Sequence, residues 1–419
     1  MSTGADAGGE PALVTAVRAG DIRLVERLLR EDRDADAEQA AFSLAVRMRS
    51  GGIAQLLLQN GVDPSLSRPD ELLTLCEAVK SGSPALVEAL LEQSMRIRYP
   101  EAELLEARDL ACHWYRAGAE AELRRRTGAE EAAARARVQD DELYSIGAFS
   151  LGGVSVRDGH AAILTDLEQL LGVSPSFEEL MARALGFDQD HTAWPRATIL
   201  LSHRRDQETW AAAAALRTHP EPSHRLFGAE VLRLTHLFDD DEADAFAGPA
   251  LDIFTEWSTR ESDRFVLTEV LRALGQHPDA RAVAALLPHA GHPYGDVRRA
   301  VASGLGTWFE PPAFSGEVRQ ALLVLMTDPD WAVREEACLT VGNGRDRDPA
   351  LTDAMFALLE DADRQVRVAA VEGLASHDDA RCVEAARLLG PPRQRPGSRP
   401  SELYLSALWL YEWRRDRRR

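Results

Sequence analysis

Lysine is almost missing from this chain: among 48 basic residues Lys80 is the only lysine, so nearly all positive charge is arginine. The skew points to a GC-rich bacterial genome and carries no mechanism of its own. Cysteine is also scarce. Cys76, Cys112, Cys338 and Cys382 are scattered without a CxxC pair, which argues against a zinc site or a disulfide framework. No apolar run approaches the ~18 residues of a membrane span, and the start, MSTGADAGGEPA, lacks the basic and apolar stretches of a secretory signal. A cytoplasmic location is the expectation. Catalytic signatures are missing as well: there is no GxxxxGK[ST], no GxGxxG after a strand, no HExxH and no GxSxG. Neither a cofactor nor a metal is expected, and the chain does not read as an enzyme.

What is present is acid. The net charge of the 419 residues is −20, and it is uneven. From Arg393 onward eight arginines face Glu402, Glu412 and Asp416, a tail of +5 on a body of −25. Such a body disfavours general affinity for nucleic acid. The basic tail has two readings, an end cap folded on the body or a weak contact with a partner or membrane surface.

The second positive feature is repetition. In Leu322–Val341 an apolar helical run ends at Met326, turns through Asp328-Pro329-Asp330 and starts again near Val333-Arg334. Asp328 stands six before Arg334 (334 − 328 = 6), and Asp361 six before Arg367 (367 − 361 = 6). The register extends to Asp190/Arg196, His219/Arg225 and His292/Arg298, and more loosely to Ser258/Arg264. An acid in the turn and an arginine one helical turn later predict a ladder of charge-assisted bonds within and between units. This spelling, from 190 to 390, resembles HEAT repeats, which implies an α-solenoid of stacked helix pairs.

An earlier repeat has different punctuation. Ala16-Val17-Arg18-Ala19-Gly20, Ala45-Val46-Arg47 and Ala78-Val79-Lys80-Ser81-Gly82 each precede an apolar helix, and Gln55 to Pro64 (QLLLQNGVDP) resembles the end of an ankyrin repeat. The Thr-Pro-Leu-His opening of that family is missing. The expected organisation is therefore all-α: an ankyrin-like region (1–98), an irregular helical adaptor (99–189), a HEAT-like solenoid (190–390), and a Pro-rich connector with a basic helix (391–419). Within the adaptor, 144–158 (YSIGAFSLGGVSVRD) predicts an irregular loop or a short hairpin.

HEAT-type enzymes offer alternatives. The di-iron hydroxylase of this kind depends on His-Glu pairs, which the chain lacks, and nothing marks a bilin site as in bilin lyases. HEAT-like DNA glycosylases need a basic groove with aromatics and a carboxylate; Trp308, Trp331, Asp330 and Arg334 supply the residue types, against an acidic body. The preferred reading is a protein–protein interaction scaffold, with a nucleic-acid-binding or repair protein, or a bacterial immunity protein that neutralises a toxin or enzyme, as alternatives. The binding face is expected on the second helix of each pair. Five after the repeat arginines stand Glu230, Glu269 and Glu372, with Arg233 and Arg272 eight after, an acidic stripe with arginines beside it.

Overall fold

The structure, a computed structural model, describes residues 10–31, 34–63, 74–91, 99–140, 144–237, 245–306, 314, 316–344, 347–390 and 403–417. They form helices and one small sheet, in two compact units, 1–201 and 202–419.

The first unit begins with three helical hairpins: α1 (Ala12–Ala19) with α2 (Ile22–Glu31), α3 (Ala35–Arg47) with α4 (Gly51–Gln59), and α5 (Leu75–Ser81) with α6 (Pro84–Leu90). The repeated Ala-Val pairs are buried at 16–17, 45–46 and 78–79. Four residues after each alanine the chain turns left-handed, at Gly20, Arg49 and Gly82. Glycine is required at 82 for a second reason, since a Cβ there would fall 2.0 Å from the Arg157 carbonyl oxygen. Gly61 is also left-handed, as the Asn60-Gly61 turn predicts, while Pro64 lies outside the described residues.

Two helices follow, α7 (Glu101–Ala117) and α8 (Ala119–Thr127), and then an antiparallel sheet of β1 (Ala134–Gln139), β2 (Ser145–Leu151) and β3 (Val154–Arg157), in that order. The hairpin expected over 144–158 is β2–β3. β1 has no counterpart in the sequence reading. Helices α9 (His160–Leu170), α10 (Phe177–Leu185) and α11 (Ala193–Ser202) complete this part. Asp140, 1% exposed, joins sheet to hairpin: it accepts from Ser83 Oγ (2.5 Å), from the Ala85 N–H at the start of α6 (2.8 Å), and from Arg157 (2.8 Å). A buried carboxylate with three donors is satisfied at every lobe that matters.

The second unit stacks helix pairs: α12 (Gln207–Ala215) with α13 (Pro222–Leu237), α14 (Ala247–Ser258) with α15 (Arg264–Leu274), α16 (Ala280–Leu286) with α17 (Gly295–Gly304), α18 (Gly316–Leu325) with α19 (Trp331–Gly342), and α20 (Pro349–Ala357) with α21 (Arg364–Ser376). Then α22 (Arg381–Leu389) precedes α23 (Leu403–Arg417), which packs along α21 in the place of another second helix. Arg414 on α23 donates to Asp378 (3.0 Å). The second helices form one continuous row, α13, α15, α17, α19, α21, α23, each packed on the next. This is the α-solenoid arrangement, in which no pair buries its apolar face alone. Asp263, Asp330 and Asp363 cap α15, α19 and α21 by accepting from their first-turn N–H groups.

Candidate functional site

The conspicuous arginines are consumed within the array. Arg334, fourth residue of α19, sends Nη1 back to the carbonyls of Asp328 (2.8 Å) and Pro329 (3.2 Å) and forks onto Asp361 of the next turn (2.7 and 2.8 Å). Arg298 repeats this on His292, Pro293 and Asp328, and Arg225 on His219, Pro220 and Glu261. Glu261, Asp328 and Asp361 each also accept the N–H two residues on. The guanidinium holds Asp361 below the usual carboxylate range; at Asp328 and Glu261 burial pushes upward and these bonds outweigh it. Arg367 keeps the two carbonyl bonds at the end of the ladder.

One register is corrected. Arg264 is the first residue of α15, whereas the ladder arginines are the fourth of their helices, so the equivalent position is Leu267, six after Glu261 (267 − 261 = 6). Leu267 is 2% exposed and makes no fork, and its would-be acceptor position six before Arg298 is His292. Arginine and acid are missing together from that rung. Helix packing agrees with the shift. Gly275, eight after Leu267, lies where a Cβ would be 2.5 Å from Gly304 Cα, and Gly342, eight after Arg334, where it would be 2.7 Å from Gly373 Cα.

The correction rearranges the expected stripe. In the true register the face row reads Glu230, Arg272, Ser303, Leu339, Glu372. Glu230 and Glu372 are half-buried and Arg272 is exposed. Glu269 is 6% exposed and ion-paired with Arg233 of the neighbouring helix, so the pair ties α13 to α15; Arg272 approaches the same carboxylate at 3.5 Å. The row is therefore mixed in charge, with acids at its two ends. Of the residue types considered for duplex binding, Asp330 caps α19, Arg334 is a rung, Trp331 is exposed, and Trp308 lies outside the described residues.

A second feature was not found from sequence. In the first unit two adjoining clefts of about 520 and 660 Å3 share Arg135, Phe149, Asp158 and Phe187 as walls. His191 Nε2 donates to Asp158 Oδ1 (3.0 Å), because its Nδ1 already accepts the Ala193 N–H (3.1 Å), and Asp158 also takes the Gly147 N–H (2.7 Å). His160 stacks on Trp114 with ring centres 4.8 Å apart and Arg126 over the indole. Burial lowers His160 to about 4, against a bond to the Val79 carbonyl, so the ring is neutral. Its Nε2 and Trp114 Nε1 are buried without a hydrogen-bond partner among the described residues. These residues come from separate segments of the chain, and no spacing links them.

Residues 318–390 match the family model described as HEAT repeats. Among solved structures, the X-ray structure of YibA from Escherichia coli is similar at 17% identity, covering 57% of this chain and 93% of that chain with a TM-score of 0.40. No curated protein matches the chain.

Proposed function

We propose that the protein is a non-enzymatic interaction scaffold, which holds a partner protein on the row of second helices in its solenoid. The observation that supports this most is the spending of the ladder arginines: Arg225, Arg298 and Arg334 are bound to carbonyls and carboxylates of the array itself. They set the pitch of the unit and are not offered to phosphate. The face beside them is exposed at Arg272 and half-buried at Glu230 and Glu372. A stiff mixed-charge face binds by many modest contacts, with charge deciding partner and encounter rate. HEAT repeats serve widely as interaction modules, and the ankyrin-like hairpins of 12–93 and a cytoplasmic location belong to the same proposal.

The test is affinity capture from the native host with the full chain and with a Glu230→Gln, Glu372→Gln double variant. Loss of a partner captured by the parent protein supports the row as the binding face. Capture of the same partners in the same amounts refutes it. Glu269 is left unchanged in that variant, since its replacement would leave Arg233 without its carboxylate and confound binding with stability.

A further inference from the structure

The geometry points to the outer edge of β1 as a docking site for an extended acidic segment of another protein, which would add a fourth strand to the sheet. This site is separate from the solenoid row and does not depend on it.

The backbone parity follows from two bonds. Asp140 N donates to the Tyr144 carbonyl (3.2 Å), and Asp158 N donates to the Gly147 carbonyl (3.0 Å). Gly147 therefore turns its backbone groups toward β3, and its neighbours Ile146 and Ala148 turn theirs toward β1, where the register pairs them with Val138 and Ala136. The alternate residues Arg135, Arg137 and Gln139 then direct their N–H and C=O groups away from the sheet. β1 ends the strand order, and apart from Val138 all its residues are exposed. Among the described residues these outward groups have no backbone partner, and such a row is a template for another strand.

The side chains select the occupant. Arg135 and Arg137 lie on the face that carries Phe149, and they line the adjoining clefts with Phe187. Both are exposed: Arg135, 70% exposed, is hydrogen-bonded to Glu120, and Arg137, 50% exposed, donates to Ser145 Oγ (2.5 Å) with Asp188 at 3.5 Å and Asp190 at 3.8 Å. Exposed pairs of this kind exchange at little cost. A strand with carboxylates at alternate positions would meet both guanidiniums while its backbone meets the edge. A second copy of the chain fits badly, since antiparallel β1 strands would set arginines opposite arginines.

The experiment uses the full chain and a blocked hexapeptide of alternating glutamate and valine, with the lysine and valine counterpart as control. Expected are saturable binding of the glutamate peptide below millimolar concentration, weakened by salt, and slowed amide exchange at 135, 137 and 139. Arg137→Pro deletes the central outward N–H without touching the bonds to β2, and weakens binding about tenfold. Arg137→Glu keeps the backbone and moves the preference toward the lysine peptide, which preserves the test where the proline variant folds poorly. The proposal is overturned by no binding up to millimolar peptide, by equal binding of both peptides, or by undiminished binding to a folded Arg137→Pro protein. Concentration-dependent dimerisation that protects the same amides without peptide also overturns it, in favour of a second copy.

Discussion

His160 shows how one buried side chain ties the first unit to pH. Burial, its largest influence, lowers its pKa from 6.5 to about 4, while the Val79 carbonyl and Asp158 pull upward and Arg126 pulls down. Above pH 6.5 the ring is neutral in folded and unfolded chain alike and no difference arises. As pH falls from 6.5 to 4 the unfolded chain takes up a proton that the folded chain refuses, so stability drops, by about 3 kcal/mol when the window is crossed. Asp166, pushed up to about 6 by burial despite Arg196, acts oppositely in that window, because there the folded chain holds the proton. Comparing the parent with His160→Phe cancels that contribution. Urea denaturation at pH 7, 5.5 and 4 is expected to show the variant gaining on the parent as pH falls; a constant difference would contradict this account.

At the scale of elements, the ladder explains why helix pairs of unequal loop length keep one stacking geometry. Each rung crosses from the second helix of one pair to the turn of the next, over 27 to 36 residues of sequence. Arg334 and Asp361 are 16% and 7% exposed, well shielded for an ion pair. Arg334→Ala is expected to cost about 2–3 kcal/mol, since it leaves Asp361 without its fork, whereas removing Arg387, 70% exposed beside Glu384, should have no measurable effect. The converse is a missing rung rebuilt. Leu267→Arg and His292→Asp should each destabilise alone, and together recover about 1–2 kcal/mol relative to the sum of the two changes. Additivity in denaturant melts would show that the ladder is not a unit of pairing. The acid-to-arginine spacing was legible because each ladder arginine also bonds the carbonyls five and six residues before it, a fixed local interval. Arg264 misled because a local match looks the same whether or not the next repeat supplies a carboxylate, and the start of α15 at Arg264 together with the glycine contacts at 275/304 and 342/373 reveals the slip.

For the molecule as a whole the decisive quantity is charge. At −20 overall, with a calculated isoelectric point near 5.0, the chain repels polyanions at neutral pH. No retention on duplex DNA is expected even at ~50 mM salt. Retention that falls steeply as salt is raised would instead support the nucleic-acid alternative. No helix among the described residues is long and apolar enough to cross a membrane.

Helix pairs, their left-handed turns at Gly20, Gly61 and Gly82, and the Asp-to-Arg register at 328/334 and 361/367 were determined by the sequence itself, because caps, turns and apolar periodicity act over a few residues. Tertiary structure decided the rest. It made β1 from Ala134–Gln139, a stretch with little strand preference of its own that is held by its pairing with β2. It also took Glu269 out of the exposed row by setting Arg233 against it, assigned Arg225 to Glu261, and gathered Trp114, Phe149, His160, Phe187 and His191 around two adjoining clefts. Apart from the local β1–β2 pairing, each of these outcomes joins residues far apart in the chain, and a pairing at that range has a free energy only once the elements between them have packed.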